Sequence, residues 1–346
     1  MTSLVDLLAP GLGQSRAEWL VAALDLHPTL CRDCGASVPR SVLAQALGIA
    51  LLDDLLARVP SAAAYVTEKV SRREKVHLDH GAVRTVGGVP CGALPPGQES
   101  VTRVLSALGY EERYTYDLAR LRMTGRSWCH RDLPAEIPQY FVSELHADRF
   151  SPAFQAAAAR VLATSVDPLA GGASEERLAA LTADGVLVSD DAQALLPVLV
   201  SCFARQHEPP TRADYQLLLA ESEEMAWIAT EGTCFNHATD RVDDVAAVAA
   251  AERAAGRPIK DTVEVSASGR IRQTAHRAPL VTRRFRDDDG EWVSLDVPGS
   301  FFELITRDPL PDGSGPDLAF DAANAQQIFA MTRGGSAGRP TGEPAP

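Results

Sequence analysis

The stretch that decides the fold is residues 75–86, KVHLDHGAVRTV, whose alternating side chains predict a β-strand. Residues two apart on a strand share one face of it. One face of this strand is apolar except for His80 and Arg84, whereas the other carries His77 and Asp79 and is expected to be solvated or partly covered. We therefore expect His80, and not His77, to point into the protein.

A β-α-β-β-β order of elements is predicted twice along the chain. In each copy, a strand is followed by a helix that ends near a glycine and then by three strand-like runs. This repeat predicts an α+β fold built from two similar units. The predicted elements are a strand over 75–86, a helix over 99–108 and strands over 110–118, 121–129 and 139–146, and then a strand over 232–239, a helix over 243–255 and strands over 262–276, 280–297 and 301–307.

Helical segments surround the two units. One precedes them, where apolar residues recur at helical spacing, and another separates them in an Ala-rich stretch that is expected to pack on the outside. The last residues have little apolar surface to bury, so we predict that they are disordered. The predicted division of a single catalytic domain is a helical cap over 1–72, the first unit over 73–150, a helical insertion over 151–230, the second unit over 231–332 and a disordered tail over 333–346.

Composition and charge exclude several classes of protein. The 346 residues carry a formal net charge of −13, which argues against a nucleic-acid partner, because binding to phosphates needs clustered Lys and Arg. The most apolar run, 42–59, is interrupted by Asp53 and Asp54, and the N-terminus lacks the features of a signal peptide. We therefore expect a cytoplasmic protein with no membrane partner; its oligomeric state is left open.

Six cysteines are scattered along the chain without the spacing of a disulfide scaffold. Cys31 and Cys34 form a C-x-x-C pair, but no second pair follows at the spacing of a structural zinc site. We interpret these cysteines as incidental.

The second unit offers one histidine at the position that matches His80 and one carboxylate on another strand. His237 lies on the first predicted strand of the second unit, and Glu303 lies on its last strand between apolar residues. A buried glutamate is costly unless it is paired or bound to a cation. Two histidines and one carboxylate on different strands can form a facial triad, which suits non-haem Fe(II), although a catalytic zinc can use the same donors. A lone buried histidine can also be paired for structural reasons alone.

Other polar residues near these positions are weighed against the triad. Arg84 shares the face of His80, and its guanidinium could bind the distal carboxylate of a dianionic substrate through two hydrogen bonds. Glu144 or His146, on the last strand of the first unit, could act as a fourth ligand or orient a ligand. The histidines in polar stretches are assigned to the surface; these are His130, His207 and His276.

Four stretches of the chain resemble the family of 2-oxoadipate dioxygenase/decarboxylases. They are DHGAVRTV (79–86), DLPAEIPQYFVSELH (132–146), NH (236–237) and GSFFE (299–303). This family was long catalogued as a domain of unknown function and is related to the vicinal oxygen chelate superfamily. The resemblance therefore implies that the two units form a curved, partly closed mixed sheet around a metal site.

The resemblance also implies an activity and the residues that carry it. The iron ligands of the family fall on His80, His237 and Glu303, and its substrate-binding arginine falls on Arg84. The implied reaction converts 2-oxoadipate and O₂ to D-2-hydroxyglutarate and CO₂ with Fe(II), a step in lysine degradation. The chain departs from longer members of the family because it lacks their extra segments near the C-terminus.

Two alternative functions are consistent with the same residues. A glyoxalase-type lyase or isomerase would use these ligands with Zn²⁺ or Ni²⁺ and without O₂, and a metal-free module of the same fold would only bind a small molecule. Fold likeness alone does not distinguish them, because one fold can host several chemistries.

Overall fold

The structure, a computed structural model, describes residues 3–321. It is a mixed α+β fold in which an eight-stranded sheet curls into a half-barrel, with eleven α-helices among the described residues. The elements up to the end of the first unit are α1 (Leu4–Leu12), α2 (Gln14–Ala23), β1 (Ser37–Pro39), α3 (Arg40–Arg58), α4 (Pro60–Ser71), β2 (Leu78–Gly87), α5 (Glu99–Ala107), β3 (Tyr110–Leu118), β4 (Met123–His130) and β5 (Gln139–His146).

The remaining elements include the helices that separate the two units. They are α6 (Pro152–Leu162), α7 (Gly172–Asp184), β6 (Val186–Val188), α8 (Ser189–Ser201), α9 (Arg212–Glu221), α10 (Glu223–Glu231), β7 (His237–Arg241), α11 (Val245–Ala254), β8 (Glu264–Val265), β9 (Ile271–Ala275), β10 (Leu280–Arg286), β11 (Trp292–Pro298) and β12 (Phe301–Arg307). The predicted tail, 333–346, lies outside the described residues, as does the end of the predicted second unit. No helix within residues 3–321 is long and apolar enough to cross a membrane.

The two units contribute four strands each to the large sheet, in mirrored order. The strand order is β3-β4-β5-β2-β7-β12-β9-β8, so the first strands of the two units are neighbours at the centre. They run antiparallel, with Gly81 opposite Ala238, and within each unit the last strand lies parallel to the first. The predicted repeat and the curved mixed sheet are therefore confirmed.

The second unit differs from its predicted strands. The run predicted over 262–276 divides into β8 and β9, and the strand predicted over 232–239 begins only at His237. The run predicted over 280–297 leaves the large sheet and forms the separate hairpin β10–β11. Its apolar side packs against α9 and α10, where Phe285 and Leu295 join the cluster around Tyr215. This burial explains why the hairpin leaves the large sheet.

One face of the sheet is buried by helices. Apolar residues of the central strands, including Val83, Val142 and Leu304, pack in one core with α3, α5 and α11. All ten residues of β2 are buried, so the expectation of a solvated or partly covered outer face was wrong. The reason is the close approach of α3, where Gly48 lies against Pro138 of the first unit.

The other face of the sheet forms the inside of the half-barrel and holds the site. Over the first unit this face packs against α6 and α10, through residues such as Phe154 and Ile228. The predicted insertion is therefore not packed only on the outside. Within it, α8 packs against the cap helices α1 and α3, α7 packs against α5 and α8, and α10 contacts β2. Sequence periodicity shows that these segments are helical, but it does not show which layer each one joins.

Candidate metal centre

The centre of the half-barrel brings together three residues from three adjacent strands. His80 lies on β2, His237 is the first residue of β7, and Glu303 lies on β12. The antiparallel register of β2 and β7 pairs His80 with Thr239, and the parallel register of β7 and β12 pairs Glu303 with the same threonine. Strand register thus places the three side chains around one point, although 157 residues separate the two histidines.

The donor atoms of these residues converge at hydrogen-bonding distances. His80 Nε2 lies 3.2 Å from Glu303 Oε2 and 3.3 Å from His237 Nε2, and His237 Nε2 lies 3.4 Å from Glu303 Oε2. Ligands about 2.1 Å from one metal ion are separated by roughly 3.0 Å at right angles and roughly 3.4 Å at tetrahedral angles. The observed spacing therefore fits a divalent metal, in either geometry.

Burial supports the same interpretation. All three side chains are buried, and among residues 3–321 theirs is the one group of three or more His, Cys, Asp or Glu side chains that could hold a metal ion. Thr239 Oγ1 donates to Glu303 Oε2 at 2.9 Å, whereas Glu303 Oε1 is buried without a hydrogen-bond partner in the described part of the chain. Buried polar atoms are normally paired, so an orphaned carboxylate oxygen here points to a bound cation.

The pKa values separate the two histidines. Burial lowers the pKa of His237 to about 3, more than Glu303 raises it, so this imidazole is neutral. Burial also acts against protonation of His80, but hydrogen bonds to Asp79 and Glu303 outweigh it and raise the pKa of His80. Burial likewise acts against the charge of Glu303, yet the two imidazoles hold its pKa below the usual value. An ionised carboxylate and a neutral imidazole are ready-made metal ligands.

Each histidine is held by the residue that precedes it in the chain. Asp79 Oδ2 lies 2.8 Å from His80 Nδ1, and Asn236 Oδ1 lies 3.1 Å from His237 Nδ1. Such a contact keeps the proton on Nδ1 and leaves Nε2 free to bind metal. Sequence reasoning missed both residues, although an acceptor placed directly before a histidine in each unit is a signal that could have found them.

Asp79 is itself held by two arginines. Arg307 Nε donates to both of its carboxylate oxygens at 3.0 Å, and Arg241 Nε donates at 2.6 Å. Burial acts against the charge of Asp79, but the two guanidinium groups hold its pKa well below the usual range. Asp79 is therefore a fixed anion behind His80.

Arg307 also fixes the segment that closes one side of the site. Its Nη1 donates to the backbone oxygens of Asp317 and Ala319, both at 2.7 Å. The next residue, Phe320, places its ring edge-on to His80, with the ring centroids 4.8 Å apart. Phe320 and Phe141 form an aromatic wall beside the ligands, with their ring centroids 4.9 Å apart.

Arg84 lines the same cavity as the three candidate ligands and lies two residues beyond Ala82 on β2. The cavity has a volume of about 460 Å³, including the part open to solvent, within the usual range for small-molecule sites. Arg84 is buried, and its Nη2 lies 2.9 Å from Glu224 Oε2 of α10. Its guanidinium carbon lies 4.8 Å from the ring centroid of Trp227. Burial lowers the pKa of Arg84, whereas Glu224 acts to raise it.

The structure does not bring Glu144 and His146 to the three ligands. Both lie on the side of β5 opposite Phe141 and Ser143, which line the cavity. Glu144 accepts a hydrogen bond from the Gln98 backbone amide, and His146 Nε2 lies 2.8 Å from Thr124 Oγ1. No contact therefore links either residue to the metal site within the described chain.

The repeat shows which residue takes the fourth position. Ala82 and Thr239 each come two residues after the histidine of their unit, and their partners on the parallel last strand are Phe141 and Glu303. The first unit therefore presents a phenylalanine where the second presents a carboxylate. This difference between the units leaves three candidate protein ligands.

The histidines assigned to the surface are all buried, so that expectation was wrong. Polar neighbours in sequence do not report the tertiary partners that pair these rings. His207 Nε2 lies 3.0 Å from the Ala229 oxygen, and His276 Nε2 lies 3.0 Å from Glu252 Oε2. These partners give His207 and His276 structural roles outside the metal site.

Comparison with known families agrees with this geometry. The model of the family described as 2-oxoadipate dioxygenase/decarboxylase matches residues 46–329, which include all three ligands and Arg84. The chain belongs to this family. Members of the 2-oxoadipate dioxygenase/decarboxylase family are enzymes by name, and the resemblance drawn from the four sequence stretches is confirmed.

Curated relatives within the family match only part of the chain. The 2-oxoadipate dioxygenase/decarboxylase of Mycobacterium tuberculosis is 35% identical in an alignment of 121 residues that covers 32% of this chain and 28% of that protein. The protein of the same name from Mycobacterium bovis matches equally. The chain thus matches less than a third of the length of these curated relatives.

Solved structures share the fold over most of the chain. A glyoxalase superfamily protein from Ralstonia eutropha JMP134 is 48% identical with a TM-score of 0.87, covering 92% of this chain and 98% of that one. The hydroxyglutarate synthase of Oryza sativa, solved with 2-oxoadipate, is 21% identical with a TM-score of 0.63, covering 87% and 96%. At that identity, the likeness to the rice protein establishes the fold alone.

Proposed function

We propose that this chain is an Fe(II)-dependent dioxygenase/decarboxylase that converts 2-oxoadipate and O₂ to D-2-hydroxyglutarate and CO₂, or acts on a related 2-oxo acid. The observation that carries the proposal is the convergence of two imidazole nitrogens and one carboxylate oxygen beside a cavity that also contains Arg84. Membership in the family supports the reaction class.

His80, His237 and Glu303 would hold the metal ion from one side. Three protein ligands leave other coordination positions open, which a dioxygenase needs for a bidentate 2-oxo acid and for O₂. Bound Fe(II) would supply the redox chemistry that activates O₂, and oxidation of the 2-oxo acid would supply the electrons that reduce it. Asp79 and Asn236 keep the two imidazoles oriented with Nε2 towards the metal position.

Arg84 would orient the far end of the substrate. It lies four residues beyond His80 on the same face of β2, so it is at most about 13 Å further along the strand. A guanidinium can hold a polar or anionic group in a fixed direction. Held at both ends, the substrate would present one carbon to the metal centre, which lowers the entropic cost of the reaction.

The aromatic wall would protect the reacting groups from water. Phe320 and Phe141 lie against each other beside His80. Tyr116 contacts both rings, and burial raises the pKa of its hydroxyl, so this side chain is neutral. A dry cavity strengthens the electrostatic interactions inside it and limits side reactions.

Oxygen uptake by the purified, Fe(II)-loaded protein tests the proposal. A panel of 2-oxo acids should stimulate O₂ consumption with release of one CO₂ per O₂, as the balanced reaction requires. His80→Ala should abolish metal retention and turnover together, whereas His207→Ala removes a buried histidine outside the site and should leave metal retention unchanged. Full activity of a metal-free His80→Ala protein would contradict the proposal.

Arg84→Ala separates substrate binding from metal binding. This variant should retain the metal, because Arg84 is not among the converging donors, and should show a raised KM for those 2-oxo acids whose far end it contacts. Loss of metal in this variant would show that Arg84 is needed for the site itself.

A glyoxalase-type reaction is the second candidate. It is favoured by the name of the 48% identical structure from Ralstonia eutropha and by ligand spacing that also fits tetrahedral geometry. Turnover without O₂, with Zn²⁺ or Ni²⁺ in place of iron, would support it. Protein that retains no metal when purified without chelator would instead support a binding module.

A further inference from the structure

A buried threonine hydroxyl lies among the donor atoms of the metal centre. Thr239 is fully buried, and its Oγ1 lies 2.9 Å from Glu303 Oε2 and 3.1 Å from His80 Nε2. The threonine occupies this position because it is the register partner of both residues on the neighbouring strands. Its hydroxyl therefore contacts two of the three candidate ligands.

This hydroxyl has one proton and two acceptors within reach. Before metal binds, both the Glu303 carboxylate and an unprotonated His80 Nε2 can accept it. A metal ion takes up the lone pair of the imidazole nitrogen, so that nitrogen no longer accepts a hydrogen bond. Metal binding therefore commits the Thr239 proton to Glu303.

The two units differ at this place in a correlated way. In the second unit Thr239 lies beside Glu303, whereas in the first unit Ala82 and Phe141 occupy the matching positions. The hydroxyl is thus present beside the carboxylate ligand and absent where the unit supplies no ligand. This correlation indicates that Thr239 serves Glu303 and is not required by the strand itself.

The hydrogen bond makes the two carboxylate oxygens of Glu303 unequal. Oε2 accepts from Thr239, while Oε1 is buried without a hydrogen-bond partner in the described part of the chain. A carboxylate can bind a metal ion through one oxygen or through both, and binding through both requires that both turn towards the ion. Because Thr239 anchors one oxygen, the carboxylate is held in an orientation that favours binding through a single oxygen.

The number of bound carboxylate oxygens decides whether O₂ has a place at the metal. An octahedral ion held by two imidazoles and one carboxylate oxygen keeps three positions open. A 2-oxo acid that binds through its carboxylate and keto oxygens fills two of them and leaves one for O₂. If Glu303 bound through both oxygens, it would fill that last position.

We infer that Thr239 is a positioning residue: its hydroxyl holds Glu303 in single-oxygen coordination and so keeps one metal position open for O₂ when the 2-oxo acid is bound. This inference rests on the proposed function, since it assumes a bound metal ion and a bidentate 2-oxo acid. A hydrogen bond to an ionised acceptor corresponds to roughly a ten- to hundredfold change in an equilibrium constant. Loss of the hydroxyl should weaken binding at the open position by about this factor.

Nitric oxide tests the inference without turnover, because it binds an open position on Fe(II) and gives a characteristic electron paramagnetic resonance signal. The NO dissociation constant is measured on the Fe(II)-loaded protein under nitrogen, with and without saturating 2-oxoadipate. Thr239→Val removes the hydroxyl and keeps the branched shape of the side chain. It should weaken NO binding by about tenfold or more with 2-oxoadipate present, and by less than about twofold without it.

Two further variants separate the hydroxyl from general effects of substitution. Thr239→Ser keeps the hydroxyl and should bind NO like the wild-type protein under both conditions. Thr274→Val removes a buried hydroxyl of β9 that donates to the Thr262 backbone oxygen, away from the metal centre, and should leave both dissociation constants unchanged. Thr239→Ala also removes the hydroxyl, and it serves if Thr239→Val does not fold.

The outcomes separate this inference from the proposed function. If the wild-type protein retains no Fe(II) or does not bind 2-oxoadipate, the proposed conversion of 2-oxoadipate fails and the inference fails with it. If the wild-type protein binds both and Thr239→Val binds NO as tightly in the presence of 2-oxoadipate, only the inference is overturned. Loss of Fe(II) from both Thr239→Val and Thr239→Ala would also overturn it, because the hydroxyl would then be needed to hold the ligand and not to limit its coordination.

Discussion

Replacing Asp79 with asparagine should lower the metal affinity of the protein about 10- to 100-fold. The substitution keeps the shape of the side chain, so the amide oxygen can still accept the His80 Nδ1 proton. It removes the negative charge that polarises the imidazole at 2.8 Å and that offsets Arg307 and Arg241. His80 would then be a weaker donor with two uncompensated cations behind it.

The magnitude follows from the contacts of Asp79. A hydrogen bond to a charged partner contributes about 1.5–3 kcal/mol, against about 1 kcal/mol for a neutral one, and each 1.4 kcal/mol corresponds to a tenfold change in affinity. The carboxylate is fully buried beside Arg307, and breaking a buried ion pair costs about 3–5 kcal/mol of folding free energy. The variant should therefore lose both metal affinity and stability.

Metal titration separates the two effects. Affinity is measured with Co²⁺ or Fe²⁺ against a chromophoric chelator, and stability is measured by denaturant unfolding of the metal-free protein. Asp240→Asn is the matched control, because Asp240 is equally buried and paired to Tyr65 and Lys69 but lies on the opposite face of β7 from His237. It should lose stability and keep its metal affinity. Wild-type metal affinity in Asp79→Asn, or an equal loss in Asp240→Asn, would refute the reasoning.

Three further predictions concern other parts of the structure. Asn236→Ala should weaken metal binding by only about three- to tenfold in the same titration, because the lost bond to His237 is between neutral groups. Burial lowers the pKa of His207 to about 4. Between pH 6.5 and pH 4 the unfolded chain therefore binds a proton at His207 that the folded chain does not bind. The free energy of unfolding should fall by up to about 3 kcal/mol as the pH drops from 6.5 to 4. Denaturant unfolding across this range should show a flatter profile for His207→Gln, and an unchanged slope would contradict the assignment. Gly81→Ala would place a methyl group against the ring of Phe235. We therefore expect the variant to be about 1–3 kcal/mol less stable in unfolding experiments and to retain metal less well. Wild-type stability and metal retention would show that the ring can move.

The alternation of side chains on a strand was enough to predict much of the site. On β2 it separated His80 and Arg84 from His77, and the structure places both in the cavity. It succeeded because the side-chain period of a strand is two wherever the strand is regular. It did not find the role of Asp79, because the pairing of β2 with β7 shifts register between Leu78 and His80, and a local irregularity of this kind is not visible in periodicity.

The residues that act on Arg84 come from a distant part of the chain. Glu224 and Trp227 lie on α10, in the segment between the two units, and nothing in their local sequence connects them to β2. The fourth ligand position also depended on tertiary structure, because the register between β2 and β5 places Phe141 there and turns Glu144 and His146 away.

The sequence by itself determined that the chain has two related units and that two histidines and a glutamate point inward, because both follow from local periodicity and from the cost of burying polar groups. Only the tertiary structure decided how many ligands converge, which residues hold the histidines and whether Arg84 carries a free or a compensated charge. These properties depend on strand register and helix packing, which bring together residues far apart in the chain.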